Sequence, residues 1–225
     1  MNLIKLFVLV FVIITLISCS EEPSGPYFAT GIKIGEITQS EAIIWVRLTK
    51  NPERVGNDAP MPDIKYIDDE TGELLPRRGR PDLKPLVTYP EGYDINNIQG
   101  AAPGSVGKAR LKYRIKGGEK WKETKWQTVD IDADFVTQFM LTDLSAGEEY
   151  EILVEASPLK GKNVSASIEG NFKTAPTKSF TEEINFIVTT CTSYPDVDSE
   201  TGYKLYPSSL NLDPEFFVHT GDIVY

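Results

Sequence analysis

Between Gly31 and Thr174, apolar and polar residues repeatedly alternate with a period of two. Ala109, Leu111, Tyr113 and Ile115 interleave with Arg110, Lys112, Arg114 and Lys116. That is the pattern of a strand with one face on a core and the other in water. Gly117-Gly118 predicts a turn after it, with Trp121 and Trp126 in the returning segment. Ala42, Ile44, Val46 and Leu48 give a second alternating run, Phe135, Thr137, Phe139 and Leu141 a third, and Tyr150, Ile152, Val154 and Ala156 a fourth. Short strands separated by turn residues predict an antiparallel sandwich.

Leu144 and Tyr150 stand six apart at the corner entering the fourth run, a spacing that resembles the tyrosine corner of Greek-key sandwiches. Tyr150 is therefore read as structural. Trp45, Trp121 and Trp126 are read as core or sheet-face aromatics rather than as a sugar platform. From Leu48 to Gly107 the chain is rich in Pro, Gly and charge and carries no sustained period. So long a loop is uncommon inside a compact domain; it is either a large insertion between two strands or a small subdomain of its own.

Past the sandwich the pattern changes. Ile184 to Thr190 is a short apolar, β-branched run ending at Cys191, and Phe216 to Thr220 is a second one ending at Gly221-Asp222. Both are expected to be strands, the first mostly buried. The gap between them allows a right-handed crossover that makes them parallel neighbours. Tyr203, Leu205, Tyr206 and Leu210 offer one helix face in that gap, which Pro207 interrupts. Parallel pairing puts Cys191 and Asp222 at carboxyl ends on one sheet edge, where open α/β sheets bind ligands. Tyr225 follows three residues later. Thiolate, carboxylate and phenolate are anionic donors suited to a highly charged cation. Taken singly, each has a plainer reading: Gly-Asp is common in turns, a buried cysteine is usually packing, and a terminal tyrosine need not be ordered. His219 is read as packed or hydrogen-bonded rather than as a ligand.

At the other end, Lys5 precedes an apolar run from Leu6 to Ile14, shorter than the roughly 20 residues of a membrane-spanning helix. Leu16-Ile17-Ser18-Cys19 resembles the lipobox of bacterial lipoproteins, which implies a signal at 1–19 in which the Cys19 thiol is acylated before cleavage leaves it as the first residue; a plain secretory signal and an uncleaved anchor are the alternatives. Residues 20–30 read as a polar tether, and Ser20-Glu21-Glu22 is similar to the acidic surface-export signal of some bacterial lipoproteins. The implied location is the bacterial cell envelope, lipid-anchored, on the periplasmic or outer surface. With Cys19 acylated, Cys191 has no partner among the chain's two cysteines. It is then either buried and inert or a ligand.

The formal charge is −10, and −11 without Lys5. No basic stripe longer than Arg77-Arg78-Gly79-Arg80 appears, so nucleic acid is not an expected partner. An acidic protein that acts on a phosphate ester needs positive charge from elsewhere, and bound metal supplies it.

Gly221-Asp222-x-x-Tyr225 resembles the second metal motif of purple acid and PhoD-like phosphatases, and Thr190-Cys191 resembles the PhoD-like form of the first. The segment Gly31 to Arg47 and the exit Phe172-Lys173-Thr174-Ala175-Pro176 are similar to the N-terminal sandwich of the alkaline phosphatase D (PhoD-like) family. The resemblance implies an all-β fibronectin III/immunoglobulin-like sandwich at 31–175 with an insertion at about 49–107. A linker at 176–183 follows, and then, at 184–225, the truncated start of an α/β, four-layer metallophosphoesterase domain. It implies hydrolysis of phosphate mono- or diesters by metal-activated water. Ferric iron would be held by Cys191 and Tyr225, with Asp222 bridging to a companion calcium. No catalytic residue beyond these ligands is assigned, and the family's later ligands, an Asn-His motif and further His or Asp residues, are not in this chain. The chain by itself is therefore expected to be inactive. The rival expectation is a lipid-anchored, fibronectin III-like surface module that binds without catalysis.

Overall fold

The structure is a computed structural model that describes residues 25–76, 83–161, 163–179, 183–200 and 202–222. Strands β1 (Ile32–Gly35) and β2 (Ala42–Arg47) open the sandwich. Strands β3 (Asp63–Ile67), β4 (Leu74–Pro76) and β5 (Lys84–Thr88) lie in the insertion. The sandwich resumes with β6 (Lys108–Ile115), β7 (Lys122–Glu123), β8 (Gln127–Thr128) and β9 (Val136–Leu141), and closes with β10 (Glu149–Ser157) and β11 (Ala166–Lys173). Strands β12 (Phe186–Thr189) and β13 (Phe216–His219) form the tail. Among the described residues the chain is mostly β, with one short 3₁₀ turn, Tyr194–Asp196, and one short helix, Leu205–Leu210.

One sheet of the sandwich runs β1-β2-β9 and the other β11-β10-β6-β7, with β8 also on β6; the strand pairs are antiparallel. The alternating residues read from the sequence line the space between them. Ala42, Ile44, Val46 and Leu48 face Ala109, Leu111, Ile152, Val154 and Ala156 in one core with Phe139, and all are essentially fully buried. Phe135 is the exception in its run. It precedes β9 with a positive φ of 60°, stacked over Gly104, and its carbonyl accepts from Leu48 N–H.

The corner at Leu144 to Tyr150 is built as its spacing suggests. Tyr150 Oη accepts the Ser145 amide at 2.8 Å, and the ring stacks on Phe172 at 5.4 Å. Tyr150→Phe leaves that amide without its acceptor and is expected to cost about 1–2 kcal/mol. The check is a lower urea midpoint with an unchanged denaturant slope.

The outer face of the second sheet is a ladder of charges. Arg110 and Lys112 on β6 both donate to Glu155 on β10, at 2.6 and 2.9 Å, and Arg114 donates to Glu151 at 2.7 Å. Trp126 covers the Arg110 guanidinium at 4.8 Å and Trp121 that of Arg114 at 4.4 Å. One face of each indole is therefore occupied by a cation on the sheet's outer surface. Burial pushes the Glu155 carboxyl up, but the hydrogen bonds from Lys112 and Arg110 outweigh it and hold the group below its ordinary value. A carboxyl depressed in the folded state contributes stability that is present above its unfolded pKa and is lost as pH falls through the folded one. The urea midpoint is thus expected to fall as pH drops below about 4.3. Glu155→Gln should flatten part of that slope. The remainder includes Asp134, whose carboxyl the hydrogen bond from Arg47 holds low.

Two sequence expectations need correction, and one open alternative is narrowed. Residues 20–30 were expected to be a tether; of these, 25–30 are among the described residues, and there Tyr27 pairs with Thr49 through both backbone bonds and Phe28 is buried, so that part of the chain is docked. The insertion, read as either a large loop between two strands or a small subdomain of its own, holds a three-stranded antiparallel sheet in the order β4-β3-β5. Strand β5 is exposed along its whole length, so no buried face exists to write a period into it. The first tail strand, expected to be mostly buried, is not: Phe186 is 52 % exposed and Val188 55 %, and Phe216 on its partner strand is 48 % exposed. Two strands cannot cover both of their own faces.

Candidate functional site

Strands β12 and β13 pair in parallel, Phe186 against Phe216 through Thr189 against His219. The rings of Phe186 and Phe216 stack across the pair at 5.0 Å. The connection carries the helix Leu205–Leu210, in which Pro207 stands in the first turn, where its missing N–H is tolerated. Tyr206 leans on Phe217 at 5.8 Å and ties the helix to β13. Burial, with the nearby Asp196 and Asp198, pushes the Tyr203 phenol up. It therefore stays protonated and donates to the Ser193 carbonyl.

The pairing does not stop where the strands do. Thr220 N–H donates to Thr189 O at 2.9 Å, Cys191 N–H to Gly221 O at 3.3 Å, and Thr192 N–H to Asp222 O at 2.9 Å. Side chains reinforce the same seam: Thr190 Oγ1 donates to Gly221 O at 3.2 Å and Thr220 Oγ1 to Thr189 O at 3.2 Å. Held in this register, Cys191 Sγ donates to Asp222 Oδ2 at 3.4 Å. The thiol is exposed.

Cys191 and Asp222 both sit in the left-handed region, each at φ 57°, and Gly221 between the strand and Asp222 is at φ 117°. Aspartate reaches that region more readily than most residues; cysteine does not, and the cost is of order 1–3 kcal/mol. A strained, exposed cysteine that meets a carboxylate is poorly explained as packing.

His219 joins the two loops. Its Nδ1 accepts from Gly221 N–H at 3.3 Å, which leaves the proton on Nε2 to donate to Thr192 Oγ1 at 3.2 Å. The hydrogen bonding expected of His219 from the sequence is met by these contacts. Thr192 and its bond to His219 were not foreseen, since nothing in the sequence links two residues 27 apart.

Of the four residues singled out from the sequence, the structure brings Cys191 and Asp222 together; Cys19 and Tyr225 lie outside the described residues. Among the described residues no group of three or more His, Cys, Asp or Glu is placed to hold a metal, so the pair supplies two donors. A thiolate and a carboxylate are both anionic donors, of the kind a highly charged cation accepts, iron among them. An open cleft of about 690 Å³, lined in part by Phe28, Arg54, Asn57 and Glu200, lies elsewhere and does not include either donor. Among the described residues no helix is long and apolar enough to cross a membrane.

No protein-family model matches this chain, and no curated protein matches it. Among solved structures it is similar to PhoD, with a TM-score of 0.56 at 14% identity over 90% of this chain and 28% of that one. At that identity the likeness shows the fold, and this chain spans 28% of the PhoD length. A fibronectin type III domain of human collagen XX matches with a TM-score of 0.30 and 15% identity, over 67% of this chain and 93% of that one. A two-domain fibronectin type III segment of chicken tenascin matches with 0.26 and 16%, over 64% and 98%. These two superpose too loosely to add to the first.

Proposed function

We propose that this chain is the N-terminal part of a metal-dependent phosphoric ester hydrolase of the PhoD-like kind, its sandwich followed by the start of an α/β metallophosphoesterase domain. The observation that carries the reading is the meeting of Cys191 and Asp222 at the carboxyl ends of two adjacent parallel strands, in a chain with the overall fold of PhoD's corresponding part.

In this reading Cys191 and Tyr225 would hold iron, and Asp222 would serve both that ion and a companion calcium. When bound, the paired cations would lower the pKa of a water and neutralise charge on the phosphoryl oxygens. The chain's own part is to hold two anionic donors on one edge. The hydroxyls of Thr190 and Thr220 fix the backbone on either side, and His219 keeps the Asp222 loop against the Cys191 loop. Three donors, Tyr225 included, are fewer than a two-metal site needs, so the chain alone is expected to hold metal weakly and to hydrolyse nothing. The test is hydrolysis of a chromogenic phosphate monoester and diester by the complete product of the gene that encodes this chain. Activity should disappear on chelation and return with iron and calcium; hydrolysis indifferent to chelation would overturn the reading.

The protein is further proposed to be a bacterial envelope lipoprotein acylated at Cys19, on the strength of the motif Leu16 to Cys19. Fatty-acid labelling in a bacterial host should be lost in Cys19→Ala. Equal labelling of the variant would refute it.

A further inference from the structure

We infer that the stem of the 49–107 insertion braces the segment following Cys191, with Arg54 as the positioning residue. The two arms of the stem are zipped together: Lys50 N–H donates to Pro103 O at 2.8 Å, Val55 N–H to Ala101 O at 2.7 Å, and Gly100 N–H to Val55 O at 2.9 Å. The root of the stem is anchored in the sandwich, where Thr49 pairs with both Tyr27 and Gly104.

From this base Arg54 reaches across to the tail. Its Nη1 donates to Tyr194 Oη at 3.1 Å and to Asn57 Oδ1 at 3.1 Å. The Glu200 carbonyl lies 3.5 Å from Arg54 Nη2 and 3.4 Å from Asn57 Nδ2. Gly100, at φ +79°, lets the stem's backbone close on the same phenol: a Cβ there would stand 3.0 Å from Tyr194 Oη. Tyr194 is thus seated between a guanidinium and a glycine.

Tyr194 opens the 3₁₀ turn three residues after Cys191. The intervening Thr192 carries the amide that bonds Asp222 O and the hydroxyl that meets His219. A continuous path of contacts therefore runs from the sandwich through the stem to the edge where Cys191 and Asp222 meet. Such support matters because a sheet of two strands with exposed faces is not stable alone. The inference rests on the metal reading for its chemical meaning only. The test needs no metal, so failure of one leaves the other standing.

The experiment is amide hydrogen exchange, resolved by peptide, on the 225-residue chain. In Arg54→Ala, exchange across residues 191–200 should quicken about tenfold, the loss of one or two net hydrogen bonds, while peptides of β9 and β10 stay unchanged. Tyr194→Phe should move the same amides in the same direction. The double variant should exchange no faster than Arg54→Ala, because both remove one interaction. Arg54→Lys, which keeps the charge but not the planar fork, should fall between wild type and alanine. Unchanged exchange at 191–200 in Arg54→Ala, acceleration confined to 49–107, or simple addition in the double variant would overturn the brace.

Discussion

Phe139→Ala is expected to destabilise the sandwich by about 3–5 kcal/mol, the usual cost of a cavity left by a buried phenylalanine. The ring is 1% exposed and belongs to the cluster that joins both sheets. A domain of this kind has about 5–15 kcal/mol in total, so the urea midpoint should fall steeply. The neighbouring Met140 points to the other face and is 68% exposed. Met140→Ala should therefore stay within about 0.5 kcal/mol. A contrast of that size between adjacent residues is the energetic form of the period of two. Similar costs at both positions would mean that β9 is paired in another register.

That period made β2, β6, β9 and β10 legible, because each buries alternate side chains in one core. The insertion's strands were not legible for the opposite reason. Lys84 to Thr88 faces solvent throughout, and Pro76 and Pro85 sit where a strand is not sought. The tail illustrates a third case. Its apolar runs located β12 and β13 and their parallel order, but burial depends on what packs against a strand, and the runs themselves do not contain that. At the site, the meeting of Cys191 with Asp222 followed from the topology. The bridging by His219 and Thr192, and the reach of Arg54 to Tyr194 across 140 residues, depend on side chains of loops and strand ends that carry no periodic signal.

The second large effect is expected at Cys191. On the proposed iron reading, replacing its thiol with a hydroxyl exchanges a soft donor for a hard one that rarely binds as its anion. In the complete gene product, Cys191→Ser should weaken iron binding by at least about 100-fold, more than the loss of an outer-shell partner typically costs. Hydrolysis should fall with it. If the iron is ferric, the colour from thiolate charge transfer should go as well. The sandwich should melt unchanged, because residue 191 is exposed and lies outside the core cluster. Asp222→Asn should reduce the same iron and the same activity, since the two side chains meet at one edge.

The most direct test is the iron content of the complete gene product and of its Cys191→Ser variant, loaded identically and compared at equal urea midpoints. The account predicts iron retained by the wild type through dialysis and lost from the variant. Equal iron in both would contradict it and would make Cys191 a strained residue with no part in a metal centre.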